Sequence, residues 1–425
     1  MRSRVLFAAA IIVALSLLAG VGDAPNLPAP YATPSIYKVP KIIPKPQGAT
    51  LHLPPGFQIE TFAEGFECPR YMALGPGGEV LVSDSVRAVT PSQSVYLPPG
   101  NPDPPDGKVY VFNALKQRRK LLENLYRPYG MAFWREYLYI AEAESVKRYK
   151  YDSKSQSVGA AQQVITLTGL AGFHWTRTLM FNQHADKLYV AVGSGSNHTI
   201  GEDPRRAAIS RYNPDGTAGE IFAAGLRNPI GLRLYPGTDT LWASVQERDE
   251  LGDDLVPDFF THIQPHGFYG WPWAYMGPHE DPFNTGFNLL KHLIKHPQAA
   301  PQVPKISSLV NSTIYPDVLL GAHVAVLDFI FYTGRQFPAE YRGGAFLAFH
   351  GSSNRSKRVG YSVAFIPFKD GKPSGPVREF ITGWMLGPDR EEVWGRPVGL
   401  LQLPDGSLLV SDDGGRKIWH VSYTG

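Results

Sequence analysis

The sequence predicts an all-β fold, a six-bladed β-propeller preceded by an N-terminal export segment. Three observations carry that expectation. A unit built from a short apolar strand, a Pro/Gly/Asp turn and a second strand ending in small polar residues recurs six times along the 425 residues. Glycine (43) and proline (38) are spread through the chain, which favours many short strands over long helices. The segments Gln58-Ile59-Glu60-Thr61-Phe62 and Lys417-Ile418-Trp419-His420-Val421-Ser422-Tyr423 lie at opposite ends, where a closed ring needs two strands to meet in its last blade.

The units are taken in order. The first joins residues 69–74 to 79–84, the second 129–133 to 137–141, and the third 177–181 to 187–193. The fourth joins 230–234 to 240–245. The fifth, looser, joins 327–331 to 344–349, and the sixth joins 398–403 to 407–412 through Pro404-Asp405-Gly406. One unit cannot bury both of its faces. Units set radially can, and they leave only short protected edges. Residues 108–112 and 145–151 alternate as outer strands do. A two-sheet sandwich is the alternative all-β reading, and the regular repeat argues against it. A propeller over residues 50–425 with one Pro-, Gly- and His-rich insertion at about 257–325 accounts for the whole repeat region.

Upstream, Arg2 and Arg4 precede an apolar run over residues 5–21, the form of a secretory signal within residues 1–24. Export to the periplasm or medium is expected; an uncleaved run would instead tether the protein to a membrane. Residues 25–49 carry seven prolines at 25–46 and few core formers, and read as an extended linker. The one cysteine, Cys68, cannot form an internal disulfide and reads as a small buried apolar residue. The formal charge of +3 with dispersed basic residues gives no nucleic-acid footprint. No Walker A loop, strand-linked GxGxxG or HExxH occurs.

In a propeller the loops beside the innermost strands converge on the axis, so functional residues belong there. His174 stands just before the third unit, in Gly172-Phe173-His174-Trp175-Thr176-Arg177. A histidine there can serve as a general base, although a lone one is more often a structural hydrogen-bonder. Arg227 and Asn228 hold the same place in the fourth unit, within Gly225-Leu226-Arg227-Asn228-Pro229. They offer donors to an anionic or carbonyl-bearing ligand, or they merely close a turn. After the partner strand comes Gln246-Glu247-Arg248-Asp249-Glu250-Leu251-Gly252-Asp253-Asp254, whose oxygens can hold a hard cation or simply face water. Gly267-Phe268-Tyr269-Gly270-Trp271-Pro272 follows, then His350-Gly351-Ser352-Ser353-Asn354-Arg355, then Gly395-Arg396-Pro397.

These motifs, in this order, resemble those of the soluble pyrroloquinoline-quinone (PQQ) sugar dehydrogenases, the glucose, sorbosone and pyranose dehydrogenase-like propellers, and the sorbosone branch in particular. The resemblance runs from about Leu51 to Tyr423. It departs at Gln246, where Asn is usual, and at Ser353, where Trp is usual. It implies His174 as the base that removes a hydroxyl proton while hydride passes to PQQ. It implies that Arg227 stabilises the developing quinone oxyanion, and that Arg177, Arg227, Asn228, Gln246, Asn354, Arg355 and Arg396 bind PQQ. It implies calcium held through the backbone carbonyls of Glu247 and Arg248; the nearby Asp253 and Asp254 are candidates for supporting it or holding a second calcium, or simply face water. The expected partners are a small sugar and a periplasmic electron acceptor such as a cytochrome or quinone. A calcium-dependent lactonase-like hydrolase and a non-catalytic binding propeller are the rival functions.

Overall fold

A computed structural model describes residues 26–85, 105–295 and 303–425. The export signal falls outside them. Among the described residues no helix is long and apolar enough to cross a membrane.

Six four-stranded antiparallel blades surround one axis. Their innermost strands are Pro69–Leu74, Met131–Trp134, Arg177–Phe181, Asn228–Leu234, Val326–Phe331 and Pro397–Gln402. Phe57–Glu64 pairs antiparallel with Lys417–Tyr423 and supplies the outermost strand of the sixth blade. The first and last stretches of the propeller therefore close the ring, as the repeat requires.

In three blades a serine near the end of the second strand has a physical task. Register shifts interrupt the pairing at Pro69/Met72, Pro229/Gly231 and Pro397/Leu400, which frees inner-strand N–H groups. The Ser83 hydroxyl accepts from the Tyr71 amide at 3.0 Å, Ser244 from Gly231 at 3.0 Å and Ser411 from Gly399 at 2.8 Å. A buried N–H left alone there would cost about 1–3 kcal/mol. Two glycines at or beside the heads of inner strands allow the blades to converge. A Cβ on Gly130 would lie 2.7 Å from the Arg177 carbonyl, and one on Gly399 would lie 2.4 Å from that of Arg70. Between blades, large apolar side chains fill the wedges, with Trp384, Phe346 and Tyr332 fully buried in one cluster and Leu232, Val245 and Phe259 in another.

Two expectations about the chain's course change. The insertion does not lie between the fourth and fifth blades. Pro257–His262 and Val318–Ala322 are the third and fourth strands of the fourth blade, so the excursion lies inside that blade. It carries Gly267–Phe268, which pairs parallel to Glu220–Ala224 of the third blade, and the helices Gly286–Lys295 and Val303–Asn311.

The Pro-rich segment, from residue 26 on, is not a free linker. The Tyr31 amide donates to the Leu251 carbonyl at 2.8 Å and the Lys38 amide to that of Ser353 at 2.6 Å. The Arg358 guanidinium donates to the carbonyls of Lys38 and Val39, and Lys41–Ile42 pairs parallel with Glu392–Val393. A proline-rich chain forms little secondary structure of its own, but its carbonyls remain acceptors for donors elsewhere.

Candidate functional site

The site grows from the heads of the inner strands. Arg70 opens the first inner strand, Arg127 stands just before the second, Arg177 opens the third, Arg227 precedes the fourth and Arg396 the sixth. The repeat thus places arginines from five blades near the heads of inner strands. Arg70, Arg127, Arg227 and Arg396 line a common axial cavity together with His174, Trp175 and Asn228. All four are buried.

Arg227, Arg396 and Arg70 are held by fixed acceptors. Arg227 donates through Nε to the Asn197 carbonyl (3.1 Å), through one terminal nitrogen to the Glu247 carbonyl (2.6 Å), and through the other to Oδ1 of Asn197 (2.9 Å). Asp249 lies 3.5 Å away. Arg396 donates to the carbonyls of His350 and Gly351, each at 3.1 Å. Arg70 pairs with Asp413, which also meets Nε2 of His350 at 2.9 Å. Burial works against ionisation of Asp413, but His350 and Arg70 outweigh it and hold the carboxyl well below the usual range. Arg70 and Arg127 both approach the face of Trp175, with guanidinium carbons 5.3 and 5.2 Å from its ring centre.

His174 is positioned by its neighbours. Its Nδ1 lies 3.0 Å from the Ser194 hydroxyl, which donates its own proton to the Ser196 carbonyl at 2.6 Å. The hydroxyl has one proton, so it must accept from Nδ1–H. That fixes the tautomer and leaves the lone pair on Nε2. Burial, then the charge of Arg227, holds the imidazole well below its ordinary pKa. His174 is therefore neutral in neutral water, the form a base needs.

Beside Arg227 the cavity wall is acidic. Glu247, Asp249 and Asp258 line the same cavity. Burial pushes the Glu247 carboxyl up to about 8, and its Oε1 is buried with no partner. Asp258 accepts from the amides of Glu247 and Ala325, and burial raises it to about 6. Asp249 pairs with His323 at 3.0 Å. Burial opposes both charges, yet the pairing lowers the Asp249 carboxyl and raises the His323 imidazole.

The expected site residues divide accordingly. His174, Arg227, Asn228, Gln246, Glu247, Asn354 and Arg396 line the cavity. Asn228 donates to the Gln246 side chain at 2.9 Å, while its own Oδ1 is buried and unpartnered. Arg177 does not reach the cavity. It is fully buried and caps the His174 loop by donating to the carbonyls of Leu170, His174 and Thr176. The Arg248 side chain turns away to a buried ion pair with Asp281 at 2.6 Å. Arg355 pairs with Asp254 at 2.6 Å and donates to the Asp253 carbonyl. The Asp253 carboxylate accepts from the amide and hydroxyl of Ser356, and its amide donates to Thr33 at 2.7 Å. Arg355, Asp253 and Asp254 thus lock two blade loops and the N-terminal strap together, outside the cavity.

Sequence reasoning missed Arg70, Arg127, Trp175, His323 and Asp413 as wall residues. For the arginines the signal was present, since each stands within a few residues of the head of an inner strand, as Arg227 and Arg396 do. Cys68 is also corrected. It is only partly buried, lines the cavity, and has its thiol pushed up to about 12 by burial and Asp413.

The donor set fits a planar polyanion: four guanidiniums from four blades, with Nε of Arg70 buried and unpartnered. It also fits a hard cation on the acidic side. Among the described residues no three His, Cys, Asp or Glu side chains form a cage by themselves, so a cation would draw on backbone and ligand oxygens as well.

Comparison with known proteins agrees with the architecture. The TrAA12-like family model matches residues 51–424. An uncharacterised protein of Borreliella burgdorferi is 28% identical over 88% of this chain and 91% of its own length. A pyrroloquinoline quinone-dependent pyranose dehydrogenase of Coprinopsis cinerea is 23% identical over 86% of this chain; the match spans 54% of that protein's length. Among solved structures, the holo PQQ domain of pyranose dehydrogenase from the same fungus has a TM-score of 0.67 at 17% identity, covering 89% of this chain and 98% of that one. The calcium structure of the Trichoderma reesei family AA12 enzyme has 0.65 at 18%, covering 91% and 98%. With a six-bladed ring matched over nearly all of its length, the chain belongs to the TrAA12-like family.

Proposed function

We propose that this protein is an exported, PQQ- and calcium-dependent oxidoreductase that oxidises an aldose or sorbosone-like sugar. The observation that carries this reading is a neutral, hydrogen-bond-oriented His174 in a cavity lined by four guanidiniums. The relatives whose names mention PQQ support it. Bound PQQ supplies the hydride acceptor, an ortho-quinone carried on a planar tricarboxylate. Arg70, Arg127 and Arg396 would hold its carboxylates, with Arg227 and Asn228 beside a quinone oxygen. Calcium would sit on the side of Gln246 and Glu247, drawing on backbone oxygens of Glu247 and Arg248.

The chain's own chemistry then follows. Nε2 of His174 accepts the proton of the sugar hydroxyl. Nδ1–H stays on Ser194, so the ring cannot turn as it becomes charged. Arg227, fixed by three acceptors, offers positive charge without reorganising. Electrons pass on to a periplasmic acceptor such as a cytochrome or quinone. Arg2, Arg4 and the apolar run behind them support export.

Reconstitution with PQQ and calcium, followed by a dye-linked assay over aldoses and sorbosone, tests the reading. Turnover that needs both additions is the expected result. Lactone hydrolysis with calcium alone would favour the hydrolase; no PQQ binding under any condition would favour a non-catalytic propeller.

A further inference from the structure

The N-terminal strap borders the mouth of the site. It is pinned at Thr33, whose hydroxyl accepts from the Asp253 amide, and at Lys38, whose amide donates to Ser353 and whose ammonium reaches the carbonyls of Ser356 and Asp389. Residues 34–37 span the gap between these anchors. Ser35, Ile36 and Tyr37 form one wall of a groove. Phe173, Asp249 and Asn354 line it as well and also line the axial cavity, so groove and cavity adjoin across these residues.

The chemistry of this groove is distinctive. Tyr37 is 60% exposed and Ile36 38% exposed although the strap is firmly held. Phe173 stacks edge-on to His174 at 4.5 Å and so stands next to the base. Asp249, Asn354 and Ser35 add acceptors and donors to the lining of the same groove. An aromatic face with a few convergent hydroxyl-binding groups is what a sugar ring needs, because its C–H face is apolar and its rim is polar.

The geometry points to an outer saccharide subsite: the groove takes the second unit of a di- or oligosaccharide whose terminal unit enters the axial cavity, with Tyr37 as the stacking platform. This rests on the sugar-dehydrogenase reading above, and it narrows the substrate class to oligosaccharides. Ser35 and Asn354 would bind hydroxyls of the second ring. Tyr37 is a specificity residue and touches no reacting atom.

The test has two readouts. Glucose, galactose and mannose are each compared with their 1,4-linked di- and trisaccharides. Binding is measured by titration calorimetry on the full protein, and kcat and KM on the PQQ- and calcium-loaded enzyme. At least one disaccharide should bind roughly tenfold or more tightly than its monosaccharide. Tyr37→Ala should erase that advantage through KM, while leaving kcat and the monosaccharide KM unchanged. Ile36→Ser, a second surface change in the same wall, should weaken the disaccharide in the same direction. If disaccharide binding is lost in Tyr37→Ala while no sugar is oxidised, the subsite stands and the dehydrogenase reading falls. If oxidation proceeds but no oligosaccharide exceeds its monosaccharide, or Tyr37→Ala affects both alike, the subsite is overturned.

Discussion

His174 works as a base only while its ring is neutral, and its surroundings keep it so. Burial and Arg227 hold its pKa well below 6.5. Activity should therefore show no loss from protonation of this group between pH 8 and about 6.5, and any acid limb due to it should lie lower. Replacing it with Ala should leave PQQ titratable and reduce turnover roughly 10²-fold or more, which single-turnover kinetics would separate from binding. Near-normal turnover would remove His174 from the chemistry. Glu247 gives a second test with a definite sign. Its folded pKa, about 8, lies above the unfolded value, so the folded state retains a proton that the unfolded state releases. In chelator, stability from this group is present below about pH 4.5 and is lost as pH rises toward 8. Glu247→Gln should flatten that decline in a melting-temperature series, and calcium should oppose it by favouring the carboxylate. A decline unchanged in Glu247→Gln would mean that another group causes it.

At this scale the sequence showed where residues stand and not where they point. His174, Arg227, Asn228 and Arg396 were legible because a repeat carries each to the axis at the head of an inner strand. Arg177 occupies an equivalent place and turns instead into three backbone carbonyls. Spacing fixes a Cα position, whereas the direction of a guanidinium depends on which acceptors the neighbouring loop leaves open.

At the scale of elements, the acidic loop has two halves with different tasks. In the first, Gln246, Glu247 and Asp249 face the cavity. The second, through Asp253 and Asp254, binds the strap and the Arg355 loop. Asp253→Ala leaves Ser356 without its acceptor and should cost about 1–3 kcal/mol in chemical denaturation. PQQ affinity should stay within a few-fold. Arg396→Ala should do the reverse, weakening PQQ strongly with a smaller change in stability. If Asp253→Ala abolished PQQ binding instead, this division of the loop would be wrong. None of this was readable from composition. A run of prolines looks like a linker because its own hydrogen-bond pattern is empty, and the donors that hold it, such as Arg358, lie some three hundred residues away in sequence. The insertion was misplaced for a related reason. Pro257 begins a strand, and a proline at a strand start reads the same as a proline in a loop.

For the whole molecule, the blade number and the closure by both chain ends were visible because a ring imposes one rule on every unit. The ring also makes the site a property of the assembly, since Arg70, Arg127, Arg227 and Arg396 come from four blades and meet only when the circle closes. A ligand that holds all four should stabilise the fold as a unit, by about 2.7 kcal/mol at 100 times its dissociation constant. Because calcium and PQQ would occupy adjoining walls, each should strengthen binding of the other by the same factor. The most direct test is thermal unfolding of the metal-free protein with calcium and PQQ added singly and together. The pair should give a shift that exceeds the sum of the single shifts and is lost in Arg396→Ala. Equal PQQ binding in chelator and in calcium, or no shift from PQQ under either condition, would contradict it.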